Sequence, residues 1–368
     1  MNHSSSAAQP GKAPVSQRLA SLDILRGFDL FLLVFFQPVL VSLGRRLDTP
    51  WMDAILYHFE HAEWLGLRCW DLVMPLFLFM AGASMPFSLA KYKNLPDKRA
   101  VHRKVIRRFL ILFVLGMVVQ GNLLGLDPNR LYLYVNTLQS IAAGYLISAL
   151  LLLHTRVKTQ LIATAVLLMI YWIPMTFAGD FTPTGNFAYK VDQLLMGRFC
   201  GDPTYTWIWS SLTFGVTVML GTFAGRLMKN GQDRRLEVTK QLLAAGVALA
   251  VAGWLWSFQM PIMKHVWSCS MTLVAGGYSF LLMGVFYYWI DVKGHTRGLA
   301  WLKIYGMNSI VAYMLGETVN FRCMAHSVSY GLEQYLGDFY PVWLTFANFL
   351  ILFFILRWMY QQRIFLRI

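Results

Sequence analysis

The chain is built from apolar blocks of roughly 18–22 residues, the length a helix needs to cross the hydrocarbon core of a bilayer. About ten such blocks follow one another, near 24–43, 70–89, 109–126, 131–153, 161–177, 207–228, 241–258, 267–290, 299–320 and 342–360. A soluble core has no use for ten of them. In lipid every backbone N–H and C=O must be bonded within the protein, so blocks of this length must be helices. Composition agrees, since 57% of the 368 residues are hydrophobic and only 14% are charged, against about half and a quarter in soluble domains. The expected fold class is all-α: a polytopic membrane protein with about ten transmembrane helices, N-in and C-in. A single transmembrane domain over residues 21–368 follows a cytoplasmic tail over 1–20. That tail is rich in Ser, Ala and Pro and reads as disordered. It lacks an apolar h-region ending in a small-residue cleavage site, so the first helix is expected to act as an uncleaved anchor.

Charge sets the orientation. The net charge is +14, which in a soluble protein would suggest nucleic acid. No base-reading module is present, and basic residues collect in the cytoplasmic loops of membrane proteins. With the N-terminus inside, inner segments hold about 24 of the 32 Lys and Arg. The 44–67 and 178–206 loops then lie outside. Trp51, Trp64, Trp70, Trp207, Trp209 and Trp267 fall near outer helix ends, as an interfacial aromatic belt would. Cys69, Cys200, Cys269 and Cys323 also map to the outer half, where an oxidising compartment would permit a disulfide. Four free thiols are the preferred reading, because sequence does not fix pairing.

Ionisable and amide side chains inside the spans mark candidate sites. Asp23, Arg26 and Asp29, three residues apart, share one face of the first helix. They are either a self-neutralising cluster or an anion site built on Arg26. Gln37, Asn136, Gln139, Asn308, Glu317 and Asn320 add further polar groups; singly such residues are often interhelical glue, and together they imply a polar path. The densest chemistry is His58-Phe59-Glu60-His61-Ala62-Glu63-Trp64, followed by Asp71. An imidazole beside a carboxylate suits a general base, with Asp71 fixing the His61 tautomer. His58 and His61 with Glu60 and Glu63 could instead bind a metal, or His61 could be an ordinary loop residue.

The runs Ser21-Leu22-Asp23-Ile24-Leu25-Arg26-Gly27 and His61-Ala62-x-Trp64-x-Gly66, then Asp71-Leu72-Val73-x-Pro75-x-Phe77-x-Phe79-x-x-Gly82, resemble the heparan-α-glucosaminide N-acetyltransferase family, in its shorter bacterial form. Further matches are Leu138-Gln139-x-Ile141-Ala142, Thr184-Gly185-Asn186 followed by Lys190 and Asp192, Pro261-Ile262-x-Lys264-x-x-Trp267-Ser268, Asp291-Val292-Lys293-Gly294 and Gly306-Met307-Asn308-Ser309-Ile310.

The resemblance implies an acetyl-CoA-dependent transmembrane acetyltransferase. Acetyl would pass from cytoplasmic acetyl-CoA to the amine of a glucosamine-type sugar on the periplasmic or luminal side, without a metal. The family's active-site His falls on His61 and its acid on Asp71. A late polar residue of the first helix falls on Gln37, where the family's usual Asn is lengthened. Asp23, Arg26, Arg107, Arg108, Gln139, Lys293 and Asn308 are the candidates for holding acetyl-CoA, and Glu60, Trp64, Lys264, Trp267 and Glu317 for the sugar. CoA is highly charged and does not cross lipid, but its slim arm could thread a polar channel. Direct transfer in a ternary complex is preferred over an acetylated His61. The expected setting is the lipid bilayer of a bacterial inner membrane, with His61 near the periplasmic face, no nucleic-acid partner, and a homodimer as related proteins suggest. Competing readings are an amino-sugar transporter, against which no internal repeat is visible, and an O-acyltransferase of surface glycans.

Overall fold

The computed structural model describes residues 19–201 and 204–366. The expected disordered tail falls almost wholly on 1–18, outside the described residues. The helices used below are α1 (Ala20–Leu47), α2 (Pro50–Phe59), α3 (Val73–Leu89), α4 (Arg99–Val119), α5 (Thr137–His154), α6 (Val157–Phe177), α7 (Phe187–Met196), α8 (Ser211–Asn230), α9 (Arg235–Trp256), α10 (Cys269–Phe286), α11 (Ala300–Met307), α12 (Ser309–Thr318), α13 (Arg322–Ser329) and α14 (Tyr340–Gln361). Among the described residues there is no strand, and eight helical segments are long and apolar enough to cross a membrane.

Those eight coincide with eight of the ten apolar blocks. The other two depart from expectation for local reasons. The third block is helical but shifted: α4 begins at Arg99, inside the segment expected to be a basic loop, and stops at Val119. Lys and Arg are good helix formers, and Val101 and Val105, each 1% exposed, supply the buried stripe that docks this basic half. Asn122 and Leu126 then take left-handed backbone and end the run. The ninth block is broken at Asn308 into α11 and α12. The Asn308 amide binds the C-terminal segment instead, donating to Ile364 O at 3.0 Å and accepting from Leu366 N–H at 3.1 Å.

α1 carries a π-turn at Leu32–Phe36. Proline at position 38 has no N–H and its ring collides with the carbonyl four residues back. The widened turn accommodates this, with Gln37 N–H bonding to Leu32 O. The centre of the bundle is the α3–α8 pair, which packs through glycines. A Cβ on Gly221 would sit 1.9 Å from Phe79 O, and one on Gly82 1.9 Å from Val218 O. Helices without a water-driven hydrophobic force between them gain from such close backbone approach. Gly221→Ala is expected to lower the thermal-unfolding midpoint in detergent, with a cost of about 1–3 kcal/mol from overpacking; an unchanged midpoint would show that the helices can separate freely.

Hydrogen bonds tie neighbouring ends together: Lys98 to Leu153 O, Lys229 to Pro86 O and Arg235 to Asp291 O at one end. At the other end, Leu133 N–H donates to Phe199 O, Gly66 N–H to Ile262 O and Thr206 N–H to His265 O. The first is the basic end. Among the described residues the opposite end holds eight Lys and Arg: Arg45, Arg46, Arg68, Arg130, Lys190, Arg198, Lys264 and Arg322. All four cysteines are free.

Candidate active site

The site lies at the end opposite the basic loops, where three segments converge. α2 ends as Glu60 turns to extended backbone, and the chain from Glu60 to Arg68 runs irregularly across the bundle. Gly66 adopts φ +105°, a conformation that favours glycine, and its N–H bonds Ile262 O at 2.9 Å. This lays the His61 segment over the Pro261–Ser268 loop. The chain then enters a 3₁₀ turn, Cys69–Leu72, that points Asp71 back at His61.

Asp71 is fully buried, and each carboxylate oxygen has work. Oδ1 lies 2.9 Å from His61 Nδ1; Oδ2 accepts Arg68 N–H at 2.9 Å and Ala62 N–H at 3.3 Å. A carboxylate only accepts, so His61 carries its proton on Nδ1 and leaves Nε2 with a lone pair. The His61 side chain is 42% exposed while that of Asp71 is 0% exposed, so the ring faces open space from a buried anchor.

Lys264 completes the group. Its Nζ lies 2.7 Å from His61 Nδ1, 3.0 Å from Nε2 and 3.6 Å from Asp71 Oδ1. Only approach from the face of the imidazole brings one atom so near both ring nitrogens, since in-plane approach would collide with Cε1. The in-plane lone pair of Nε2 therefore stays open. Burial pulls the Lys264 ammonium down to about 8, with nearby Asp71 working in the opposite direction. The loop behind it is firmly held: Ser210 Oγ and the Tyr171 hydroxyl both donate to Val266 O, and Ser268 Oγ accepts Met263 N–H.

His61 and Lys264 line a cavity of about 630 Å³ whose wall also includes Phe77, Gln120, Tyr313 and Glu317. A smaller cavity of about 50 Å³ shares Phe77, Thr137 and Tyr313 with it and continues to Ser309 and Ile310, beside the helix break at Asn308.

The expected residues divide by position. His61, Asp71, Lys264 and Glu317 are brought to this cavity or directly behind it. Gln37 is not among the described residues lining it; its Nε2 donates to Phe59 O at 3.2 Å. Glu60 is 3.7 Å from Arg68. Trp64 donates to Phe181 O at 2.7 Å and stacks on His265, while Trp267 is buried and donates to Thr217 Oγ1 at 3.1 Å. Gln139 is consumed as an N-terminal cap of α5: Oε1 accepts Val135 and Asn136 N–H, and Nε2 donates to Leu133 O. Asn308 anchors the tail as above. Asp23 and Arg26 lie on α1 toward the basic end, where Arg26 donates to Ser84 Oγ at 2.7 Å and sits 4.0 Å from Asp23. Arg107 and Lys293 are exposed, and Arg108 stacks over Tyr145 at 4.5 Å. His58 turns to Cys69, 4.0 Å away, rather than to His61. Among the described residues no three His, Cys, Asp or Glu side chains gather as a metal site would need.

Sequence reasoning missed Tyr313 and Gln120. Tyr313 lies one helical turn before Glu317, so the same-face rule would have found it. Gln120 gave no signal; its Oε1 accepts from Asn136 Nδ2, which also reaches the Tyr313 hydroxyl. Asp192, on α7, was named only as part of the resemblance. It is buried and accepts Trp207 N–H at 2.7 Å and Ile208 N–H at 3.0 Å, fixing the entry to α8. Burial raises its carboxyl to about 6, against those hydrogen bonds. A raised folded-state value means stability is fully present below the unfolded value, near 3.8, and is lost as pH rises through about 6. Asp192→Asn is thus expected to flatten the difference in unfolding midpoint between pH 5 and pH 7.5, a contribution of about 1–1.5 kcal/mol over that window; an unaltered pH difference would contradict it.

A family model described as "Heparan-alpha-glucosaminide N-acetyltransferase, catalytic" matches residues 18–257. Two curated relatives bear the name heparan-alpha-glucosaminide N-acetyltransferase. The human protein is 25% identical over 366 residues, covering 81% of this chain and 52% of its own length. The mouse protein is 24% identical over 374 residues, covering 83% and 54%. The chain spans about half the length of the curated relatives it matches. The family match includes His61 and Asp71 and ends before Lys264 and Glu317.

Proposed function

The chain belongs to the heparan-alpha-glucosaminide N-acetyltransferase catalytic family, and from that premise we propose that it moves acetyl from acetyl-CoA to the amine of a glucosamine-type sugar across a bilayer. The observation that carries the reading is the buried Asp71 holding Nδ1 of His61, whose ring lines a cavity of about 630 Å³ at the end away from the basic loops. A hexosamine fits such a volume with room for an acetyl thioester. The basic end suits an anionic nucleotide by charge.

The chemistry follows from the residues. His61 Nε2 removes a proton as the sugar nitrogen attacks the thioester carbon. Asp71 holds the tautomer and balances the imidazolium that forms. Glu317, which lines the same cavity, would bind an ammonium or hydroxyls of the acceptor. Purified protein incubated with radiolabelled acetyl-CoA and glucosamine should yield N-acetylglucosamine, while sugars with hydroxyls but no amine should stay unlabelled. Label on the hydroxyl sugars alone would move the reading to O-acylation, and sugar uptake into vesicles without acetyl-CoA would move it to transport.

A further inference from the structure

Acetyl transfer from a thioester passes through a tetrahedral intermediate whose oxygen carries negative charge, and stabilising that charge is usually the largest single catalytic contribution. The resemblance assigns a polar role at this centre to Gln37, but Gln37 is not among the described residues lining the cavity, and one N–H of its amide goes to Phe59 O instead. We propose that the Lys264 ammonium holds that oxygen and is a catalytic residue of the transfer, an inference that rests on the acetyltransferase reading above.

Three observations carry it. Lys264 lines the cavity although its side chain is only 6% exposed, so its charge acts in a dry setting where electrostatic effects are strong. Asp71, its near counter-charge, already accepts from His61 and from two backbone N–H groups. An ammonium has three donors, and an Asp71 contact at 3.6 Å leaves donors for a substrate oxygen. Finally, Nζ lies 3.0 Å from His61 Nε2. A carbon attacked by a nitrogen that Nε2 deprotonates can therefore hold its oxygen within hydrogen-bond reach of Nζ, the mutual geometry a base and an oxyanion donor require.

The step balances with these groups. The neutral amine attacks, a C–N bond forms, and the carbonyl π pair moves onto oxygen, where Lys264 meets it. His61 Nε2 takes one proton from nitrogen. The intermediate collapses, the C–S bond breaks with its pair on sulfur, and the His61 proton passes to the thiolate. One amine and one thioester become one amide and one thiol.

The test compares Lys264→Met and Lys264→Arg, with acetyl-CoA and glucosamine as substrates. Lys264→Met should lower kcat by about 10²–10³-fold with the acetyl-CoA KM changed by only about threefold or less, as for a contact made mainly in the transition state. Lys264→Arg, which keeps the charge, should recover much of the loss. The pH profile separates catalysis from support. Lys264 faces Asp71 and His61, with Glu317 on the same cavity, and loses its proton near 8. Wild-type activity should therefore fall as pH rises through about 8, and this limb should vanish in Lys264→Arg. Full activity in Lys264→Met overturns the proposal while leaving the acetyltransferase reading intact. Equal losses in both variants with the alkaline limb unchanged overturn it too, as does a wild-type profile flat across pH 8, which needs no variant to fold. Wild-type protein that transfers no acetyl overturns both.

Discussion

Acetyl transfer by the His61→Ala variant falls to between about a hundredth and a ten-thousandth of the wild-type rate, the span expected for loss of a general base. The loss arises in chemistry, because the side chain contributes little to the fold: it is 42% exposed, and Asp71 keeps its two backbone hydrogen bonds. Acetyl-CoA affinity and the unfolding midpoint should therefore stay near wild type. Isothermal titration and thermal scanning alongside a radiolabel assay check the three quantities together. Full activity in a folded variant would remove His61 from the mechanism.

Asp71→Asn gives a second large loss, of about 10²–10⁴-fold, by a different route. The carboxylate accepts Nδ1–H and so leaves Nε2 basic. An amide can present its own N–H to Nδ1, which moves the ring proton to Nε2 and blocks the base. The same change strips Lys264 of the carboxylate 3.6 Å away. Breaking a buried ion pair by removing one partner costs several kcal/mol, so Asp71→Asn should also be less stable, unlike His61→Ala. The pattern to measure is a joint loss of rate and midpoint in one variant and of rate alone in the other.

Much of this was legible in the sequence, and the exceptions have physical reasons. Apolar runs reveal a helix that is apolar along its length, which is why eight blocks appear as written. They misplace the start of α4, whose N-terminal half is basic and docks with Val101 and Val105 buried. They also miss the break at Asn308, which depends on partners 56 and 58 residues away. The His61–Asp71 pair was readable because ten residues separate its members within one motif. Lys264 was legible as a candidate for the sugar, but not as a neighbour of the imidazole, since 203 residues intervene and only the Pro261–Ser268 loop brings them together. Gln139 looked like a ligand residue and is a helix cap; Asn136 three residues earlier was the signal, the two forming a reciprocal capping box.

Sealed proteoliposomes with one orientation of the protein give the most direct test. Acetyl-CoA is supplied only at the basic end and glucosamine only at the His61 end. N-acetylglucosamine should accumulate on the glucosamine side and free CoA on the other, with no product when both substrates are confined to the His61 end. Product formed only when the two substrates share one compartment would contradict transfer across the bilayer.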